Sequence, residues 1–597
     1  MTENGILQVI FFIFITLLLV KPLGWYMARV YTGKSCGLTL LCSPIERLMY
    51  RLAKINAKES MDWKHYLTAM LIFNLLGVLA VYAIQRLQFY LPLNPQSFVA
   101  VSPDLAFNTA ASFATNTDWQ AYAGESTLSY LTQMLALTVQ NFFSAATGMS
   151  LLVAFIRGLT RHETVGLGNF WVDTVRSILY ILLPLSVVLA ILLSALGVIQ
   201  NFHPYQSVSL LQPLHYQETV TDASHNSVAT HDITITQQHL PMGPVASQIA
   251  IKQLGTNGGG FFNTNSSHPF ENPTPLTNFL EMLALWLIPA AFCYTFGILV
   301  NDKRQGYALL LTMLLILVPL IFATIVAEQR SNPAFIQLGI EAAPKLGYAG
   351  GNMEGKEVRF GIINSALWTA TTTATSNGSI NAALDSFTPL GGLVPLWLMH
   401  LGEVIFGGVG SGLSGMLMLV IIAVFMGGLM VGRTPEYLGK KIEPYEMKMA
   451  CLAVLIMPLL VLILTALAVL SSQGKAAIAN PGAHGFTEIL YAFTSMVNNN
   501  GSAFSGLNAN STFYNVLGGV GILIGRYWIA IPTLAIAGSL VRKKIIPSNL
   551  GTLSTHSPLF IILLMAVIII LGALTFFPAL AIGPIVEHLM LRGGYGQ

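Results

Sequence analysis

Four short polar turns carry the residues with the clearest chemical potential. Three align directly: Thr256-Asn257-Gly258, Ser376-Asn377-Gly378 and Asn499-Asn500-Gly501, followed by Gly259, Ser379 and Ser502. An earlier one reads Asn116-Thr117-Asp118, with Asp where the others have Gly, Thr115 before it and Gln120 just after. Its register is open by one residue, because Thr115-Asn116 fits nearly as well. Together the turns offer hydroxyls, amide oxygens and freed backbone carbonyls, with one carboxylate. Glycine reaches φ > 0 and leaves the backbone bare of side chain. One such turn is an ordinary loop. Four in one topological slot suit a ring of oxygen dipoles, which can replace the hydration shell of a bare monovalent cation.

The elements that must hold these turns are apolar. The 597 residues are 54% hydrophobic and 9% charged, with a formal net charge of +3, whereas soluble domains carry roughly 25% charged residues. No basic stripe is present, which argues against nucleic acid as a partner. Cys36, Cys42, Cys293 and Cys451 form no CxxC pair, so neither a zinc site nor a disulfide framework is indicated. Long apolar segments fall near 5–28, 66–87, 127–156, 171–198, 277–300, 306–326, 391–431, 448–470, 513–540 and 558–583, each long enough to cross a bilayer. The first lacks the basic start and small-residue cleavage site of a signal peptide and reads as a retained span. The expected fold is an all-α polytopic membrane protein of about ten transmembrane helices. Basic residues recur in alternate loops: Lys34, Arg47, Arg51, Lys54 and Lys58; Arg157 and Arg161; Lys303 and Arg304; Arg433, Lys440 and Lys441; Arg542, Lys543 and Lys544. The positive-inside rule makes those loops cytoplasmic and both termini exterior. The loop with Arg330, Lys345, Lys356 and Arg359 weakens the rule locally.

Each turn follows a weakly apolar run of about ten residues, too short to span, and each lies between two spanning helices. The unit is helix, half-helix, turn, helix, repeated at 105–120, 245–265, 362–382 and 489–511. Thr274-Pro275-Leu276 and Thr388-Pro389-Leu390 open the helix after two of the turns. Repeats of this kind gather in pseudo-fourfold arrangement around an axis along the membrane normal. The expected division is 1–60 (first span and loop), 61–165, 166–303, 304–445 and 446–545 (four pore repeats), and 546–597 (last span and tail). The second repeat carries a polar, Thr/Gln/His-rich exterior insertion near 206–240.

These four units resemble the superfamily of K⁺ transporters built on a channel-like plan. Within it, "TNGGGFFNTNSSHPFENPT", "NMEGKEVRFG", "GEVIFGGVGSGL", "GRTPEYLGKKIE" and "NNNGSAFSGLNANS" are similar to the potassium-binding A subunits (KdpA) of Kdp potassium-transporting ATPases. The resemblance covers nearly the whole chain. It implies a bacterial inner-membrane complex with the P-type ATPase subunit KdpB and the smaller KdpC and KdpF. It implies K⁺ as the bound and transported ion, no other cofactor, and an intersubunit tunnel toward the ATPase subunit. The implied filter residues are Asn116, Thr117, Asp118, Thr256, Asn257, Gly258, Ser376, Asn377, Gly378, Asn499, Asn500 and Gly501. Gln120 stands at a position the family links to selectivity; Thr115, Gly259, Asn265, Ser379 and Ser502 adjoin the filter.

The chain carries no DKTG phosphorylation motif and no GxxxxGK[ST] loop. "GGVGSG" at 407–412 lacks the following lysine and lies in an apolar span. A non-catalytic subunit is expected; the alternatives are a stand-alone, gradient-driven K⁺ or Na⁺ transporter and an intramembrane enzyme, for which no HExxH or similar set is found. The segment 391–431 is too long for one straight span and holds Gly402, Gly407, Gly408, Gly410, Gly412 and Gly415. It reads as a helix broken beneath the filter, with close helix packing as the plainer alternative. Glu403 and Arg526 are intramembrane groups of opposite sign, expected to pair beside the ion path, with a purely structural bridge as the equal alternative. Asp173, Glu281 and His400 sit near helix ends or interfaces and read as snorkelling or locally bonded, and 433–441 as a loop that docks a partner or only satisfies topology.

Overall fold

The computed structural model describes residues 3–221, 228–330, 350–432, 434–547 and 553–593, with a few positions between 332 and 339. Arg433 and Lys345 lie outside the described residues. Ten helices among the described residues are long and apolar enough to cross a membrane: Glu3–Tyr31, Trp63–Tyr90, Thr132–Thr160, Phe170–Ala195, Pro275–Leu299, Lys303–Glu328, Ser411–Met430, Pro444–Leu470, Thr512–Leu540 and Pro558–Arg592.

Four shorter helices stand between them: Pro103–Ala114, Val245–Leu254, Gly361–Ala374 and Ala483–Asn498. They are the half-helices expected before each turn, and nearly every residue in them is buried. Their Thr-, Ser- and Ala-rich composition suits close packing at membrane depth, where small residues let backbones approach. The helices after the turns begin on designed stops. Thr274 and Thr277 form a reciprocal cap ahead of Pro275, and the Thr388 hydroxyl accepts from the Gly391 N–H ahead of Pro389. Proline at the first helical position has no orphan N–H to lose, so the Thr-Pro-Leu echo is a pair of helix starts. The ninth span packs along the first half-helix as well as along the third and eighth spans, so the last repeat closes against the first.

The long apolar segment 391–431 is interrupted, as its glycines suggest. Pro389–His400 and Ser411–Val431 are helical, and the chain between them is irregular. Gly402, Glu403, Phe406, Gly407 and Gly410 all take positive φ there, which no helix interior accommodates.

The insertion near 206–240 departs from an all-helical reading. Gln206–Thr221 and Val228–Leu240 form an antiparallel two-stranded ribbon, pairing Gln206 with Leu240 and Gln217 with Asp232, with a register shift between Ser209 and Leu214. The local signal is the alternation Ile233-Thr234-Ile235, which a polar composition masked.

Candidate ion-binding site

The four turns share one backbone geometry. Asn116, Thr256, Ser376 and Asn499 open them at φ +70°, +47°, +53° and +59°. Two residues on, Asp118, Gly258, Gly378 and Gly501 again take positive φ, at +51°, +90°, +73° and +95°. The residue between donates its N–H back five positions into the half-helix: Thr117 to Ser112 O (3.0 Å), Asn257 to Lys252 O (2.9 Å), Asn377 to Thr372 O (3.0 Å) and Asn500 to Ser495 O (2.9 Å). This resolves the register of the first copy: Asp118, not a neighbour, stands at the glycine position, and Ser112, Lys252, Thr372 and Ser495 are equivalent.

The turns meet in a closed ring. The Asn116 amide donates to Thr256 O (2.8 Å) and the Asn257 amide to Asn116 Oδ1 (2.6 Å), joining the first turn to the second. Ser144 of the third span bonds both asparagines. The Asn377 amide donates to Lys252 O (3.0 Å), the Ser376 hydroxyl to Asn499 O (3.1 Å), and the Asn499 amide to Thr117 Oγ1 (2.9 Å). Three glycines set the closeness. A Cβ on Gly258 would strike the Asn377 carbonyl, one on Gly378 the Asn500 carbonyl, and one on Gly501 the Thr117 carbonyl. The joint between the first and second turns has no such glycine. Asp118 stands there instead, buried, its Oδ1 without a hydrogen-bond partner. The Asn141 amide, turned to satisfy both neighbours, donates to Asp118 Oδ2 (2.8 Å) and Leu137 O (3.1 Å).

Gln120 clasps that joint from the side, its Nε2 donating to Gly260 O (2.9 Å) and its Oε1 accepting from Gly260 N (2.8 Å). Asn265 accepts from Lys252 Nζ (2.9 Å), Ser379 donates to Gln253 Oε1 (3.0 Å), and Ser502 donates to Asn500 Oδ1 (2.5 Å). Thr115 stays within its own turn, bonded to Ala111 O and to Thr117. The broken segment seats against the same turns: Gly407 N donates to Ala374 O (2.9 Å) and Val409 N to Thr256 Oγ1 (2.9 Å). The Gly410 backbone lies against the Gly148 carbonyl, and Gly408 faces Thr256 and Ser376.

The expected Glu403–Arg526 ion pair is not formed. Glu403 accepts from the Asn500 amide at one oxygen (2.7 Å), and its other oxygen lies in hydrogen-bond contact with the Ser376 hydroxyl, so the third and fourth turns already engage both its oxygens. Arg526 makes no ion pair among the described residues. The two share only a cavity of about 70 Å³ beneath the turns, also lined by Ser376, Gly408, Asn498 and Asn499. A second, apolar cavity shares Gly402, Met457 and Asn498 with it and runs toward Gly572 and Phe576 of the last span.

Asp173 takes both Arg157 nitrogens (2.5 and 2.8 Å), Glu281 accepts from Gln253 and Ser266, and His400 contacts Thr494 and stacks on Phe576, all local as expected. In the 433–441 loop, Lys440 is buried and donates to the Leu540 carbonyl (2.7 Å), so it anchors the loop inward.

Sequence reading overlooked two features. Lys252 is a fully buried ammonium bonded to Gly259 O (3.0 Å) and Glu271 Oε2 (2.7 Å); its signal is a lysine five positions before Asn257, where the other copies carry hydroxyls. His484 bridges Asp385 (3.2 Å) and Glu587 (2.8 Å). Burial lowers its pKa, but the two carboxylate hydrogen bonds outweigh burial and raise it from 6.5 to about 10. Asp385, His484 and Glu488 could converge on a metal ion, yet both imidazole nitrogens already face carboxylates.

The sequence matches the family model described as "Potassium-transporting ATPase A subunit" over residues 10–589. A relative from Methylococcus capsulatus, named "Potassium-transporting ATPase potassium-binding subunit", is 60% identical over 99% of this chain and 100% of its own length. One of the same name from Sorangium cellulosum is 61% identical over 99% of each chain. The crystal structure of the potassium transporter TrkH from Vibrio parahaemolyticus is similar in fold, with a TM-score of 0.50 at 14% identity, covering 89% of this chain and 97% of that one.

Proposed function

The chain belongs to the potassium-transporting ATPase A subunit family, and from that premise we propose that it is the K⁺-binding, K⁺-selecting subunit of an ATP-driven uptake complex. The observation that carries the reading is the closed ring of four turns with one shared φ pattern. The proposed filter comprises residues 116–118, 256–258, 376–378 and 499–501. Its oxygens are carbonyls, amides and hydroxyls with the single carboxyl of Asp118, which suits a monovalent cation that must shed water without being trapped.

An ion entering the ring gives up hydration for turn oxygens already held by neighbouring turns, so little reorganisation accompanies binding. Next to the ring, the 401–410 segment is bonded to the second turn and to the end of the third half-helix. The Glu403 carboxyl stands there bonded to two turns, and the Arg526 guanidinium faces the same cavity. A carboxyl and a guanidinium facing one void suit a gate that admits an ion and turns it sideways. The adjoining apolar cavity supports a lateral exit toward an ATPase subunit.

The partners of this reading are the P-type ATPase subunit KdpB with KdpC and KdpF, in a bacterial inner membrane, with both termini outside and surrounding lipid. Phosphorylation and nucleotide binding then belong to the partner. The pore repeats run over 61–165, 166–303, 304–445 and 446–545, flanked by a span at each end. Full-length similarity at about this level to relatives named as ATPase subunits supports the ATP-driven reading over a stand-alone, gradient-driven one.

The test is Gly258→Asp in the purified complex. It adds a charged side chain where the Asn377 carbonyl leaves no room. Apparent K⁺ affinity and discrimination against Rb⁺ and Na⁺ in K⁺-stimulated ATP hydrolysis should both change. Unchanged values in an assembled complex would refute the filter assignment.

A further inference from the structure

The run Gly259-Gly260-Phe261-Phe262 after the second turn has no glycine side chains to pack, and buried side chains from elsewhere hold its backbone. Lys252 Nζ donates to Gly259 O (3.0 Å). Gln120 takes both Gly260 groups. Gln133 Nε2 donates to Phe261 O (3.1 Å), and Glu271 Oε1 accepts from Phe262 N (2.8 Å). All three ammonium protons of Lys252 are engaged, by Gly259 O, Asn265 Oδ1 (2.9 Å) and Glu271 Oε2 (2.7 Å). Lysine and glutamate are both fully buried.

The first and third copies hold the equivalent carbonyl with neutral donors. Trp119 O accepts from the Ser112 hydroxyl (3.1 Å), and Ser379 O from Trp368 Nε1 (2.8 Å). Of these three, only the second copy uses a charge, and it does so beside the one joint that carries Asp118. A buried ion pair is rarely kept for stability, because desolvation offsets its attraction and apolar residues of similar size often replace it at no loss. A fixed cation one residue from a cation-binding turn must also repel the ion unless a carboxylate balances it.

We infer that Lys252 and Glu271 are specificity-determining positioning residues of the filter: the ammonium pins the Gly259 carbonyl, and Glu271 offsets its charge, so that the joint holding Asp118 keeps its width and field. The inference rests on the filter reading above.

Two variants of the full complex test it, read by K⁺- and Rb⁺-stimulated ATP hydrolysis. Lys252→Met with Glu271→Leu removes the pin without changing net charge. It should weaken apparent K⁺ affinity about tenfold or more and narrow the K⁺ over Rb⁺ preference, with the maximal rate within about twofold. Glu271→Gln keeps a donor-acceptor contact but leaves the ammonium unbalanced. It should weaken K⁺ and Rb⁺ together, more strongly at low salt. An assembled complex of either kind with K⁺ affinity within about threefold of the parent and an unchanged Rb⁺ preference overturns the inference. Failure of both variants to assemble also overturns it, since the pair would then serve folding alone. Gly258→Asp separates the levels: if it alters affinity while the Lys252 and Glu271 variants do not, only this inference falls; if none does, the filter reading falls.

Discussion

Replacing Gly258 with alanine puts one methyl group at the tightest joint of the ring. A Cβ built there lies 1.7 Å from the Asn377 carbonyl oxygen and 2.7 Å from its carbon, where ordinary contact begins at 3.4 Å. Both neighbours are backbone, so no side chain can swing away, and the second and third turns must part by more than about 1 Å. A displacement of that size at a positioned site typically costs about a hundredfold, or about 2.7 kcal/mol. The φ of +90° adds about 1 kcal/mol of backbone strain for a residue with a Cβ. Two companions divide these contributions. Gly361→Ala carries the strain alone, at φ +70° with nothing within 4 Å, and should leave K⁺ affinity unchanged. Gly259→Ala meets the flexible end of Gln120 at 3.1 Å and Asp118 O at 3.2 Å and should weaken affinity by tenfold at most, about 1.4 kcal/mol. The assay is K⁺ titration of ATP hydrolysis by the purified complex, with assembly checked by size exclusion. Equal effects at Gly258 and Gly361, or K⁺ affinity within about threefold of the parent for Gly258→Ala, would show that ring closeness does not set affinity.

Gln120→Ala removes both bonds across the first joint; K⁺ affinity should fall by about tenfold, or about 1.4 kcal/mol, with a relaxed preference over Rb⁺, measured in the same titration. Glu403→Gln keeps one oxygen to accept from Asn500 and turns an amide N–H toward the Ser376 hydroxyl, which still donates to Asn499 O, so the variant removes the carboxyl while both turns stay bonded. Transport into K⁺-depleted vesicles should fall by about tenfold or more, and a normal uptake rate in an assembled complex would contradict a gating role. His484 gives a pH signature. Its folded-state pKa of about 10 exceeds the ordinary 6.5, so its stabilisation is complete below pH 6.5 and is lost as pH rises through 10. The melting-temperature gap between the parent and His484→Gln should therefore shrink steadily over that range; a constant gap would mean that the Asp385–His484–Glu587 clamp is not charged.

Spans and turns were legible because their signals are local. Apolar length marks a membrane helix, and Asn-Gly or Ser-Asn-Gly marks a backbone that must reach positive φ. Thr274 and Thr388 announced helix starts through their own caps. The glycines of 402–415 announced the break, because a helix interior cannot hold φ values such as that of Gly407. What escaped depends on distant partners. Glu403 and Arg526 have opposite signs and fit a pair on paper, but hydroxyl and amide donors from two turns reach Glu403 first. Lys252 sits in a weakly apolar run, and only the five-residue hydrogen bond shared by all four copies shows that it occupies a hydroxyl position. The ribbon at 206–240 takes its order from pairing between its two strands, and its polar composition carries little trace of that.

The ring is drawn by a single polypeptide, so its quarters need not be alike. A filter made of four identical chains can change only in fours, and every substitution falls on all joints at once. Here three joints set a glycine against a carbonyl, each with a side-chain hydrogen bond across it, and one, between the first and second turns, has no such glycine and rests on side chains: Asn116, Asp118, Gln120 and Asn257. Variation that would jam a glycine joint can be absorbed at the one without. On the filter reading proposed above, ion preference is adjustable in graded steps at one seam, while the other three preserve the bore.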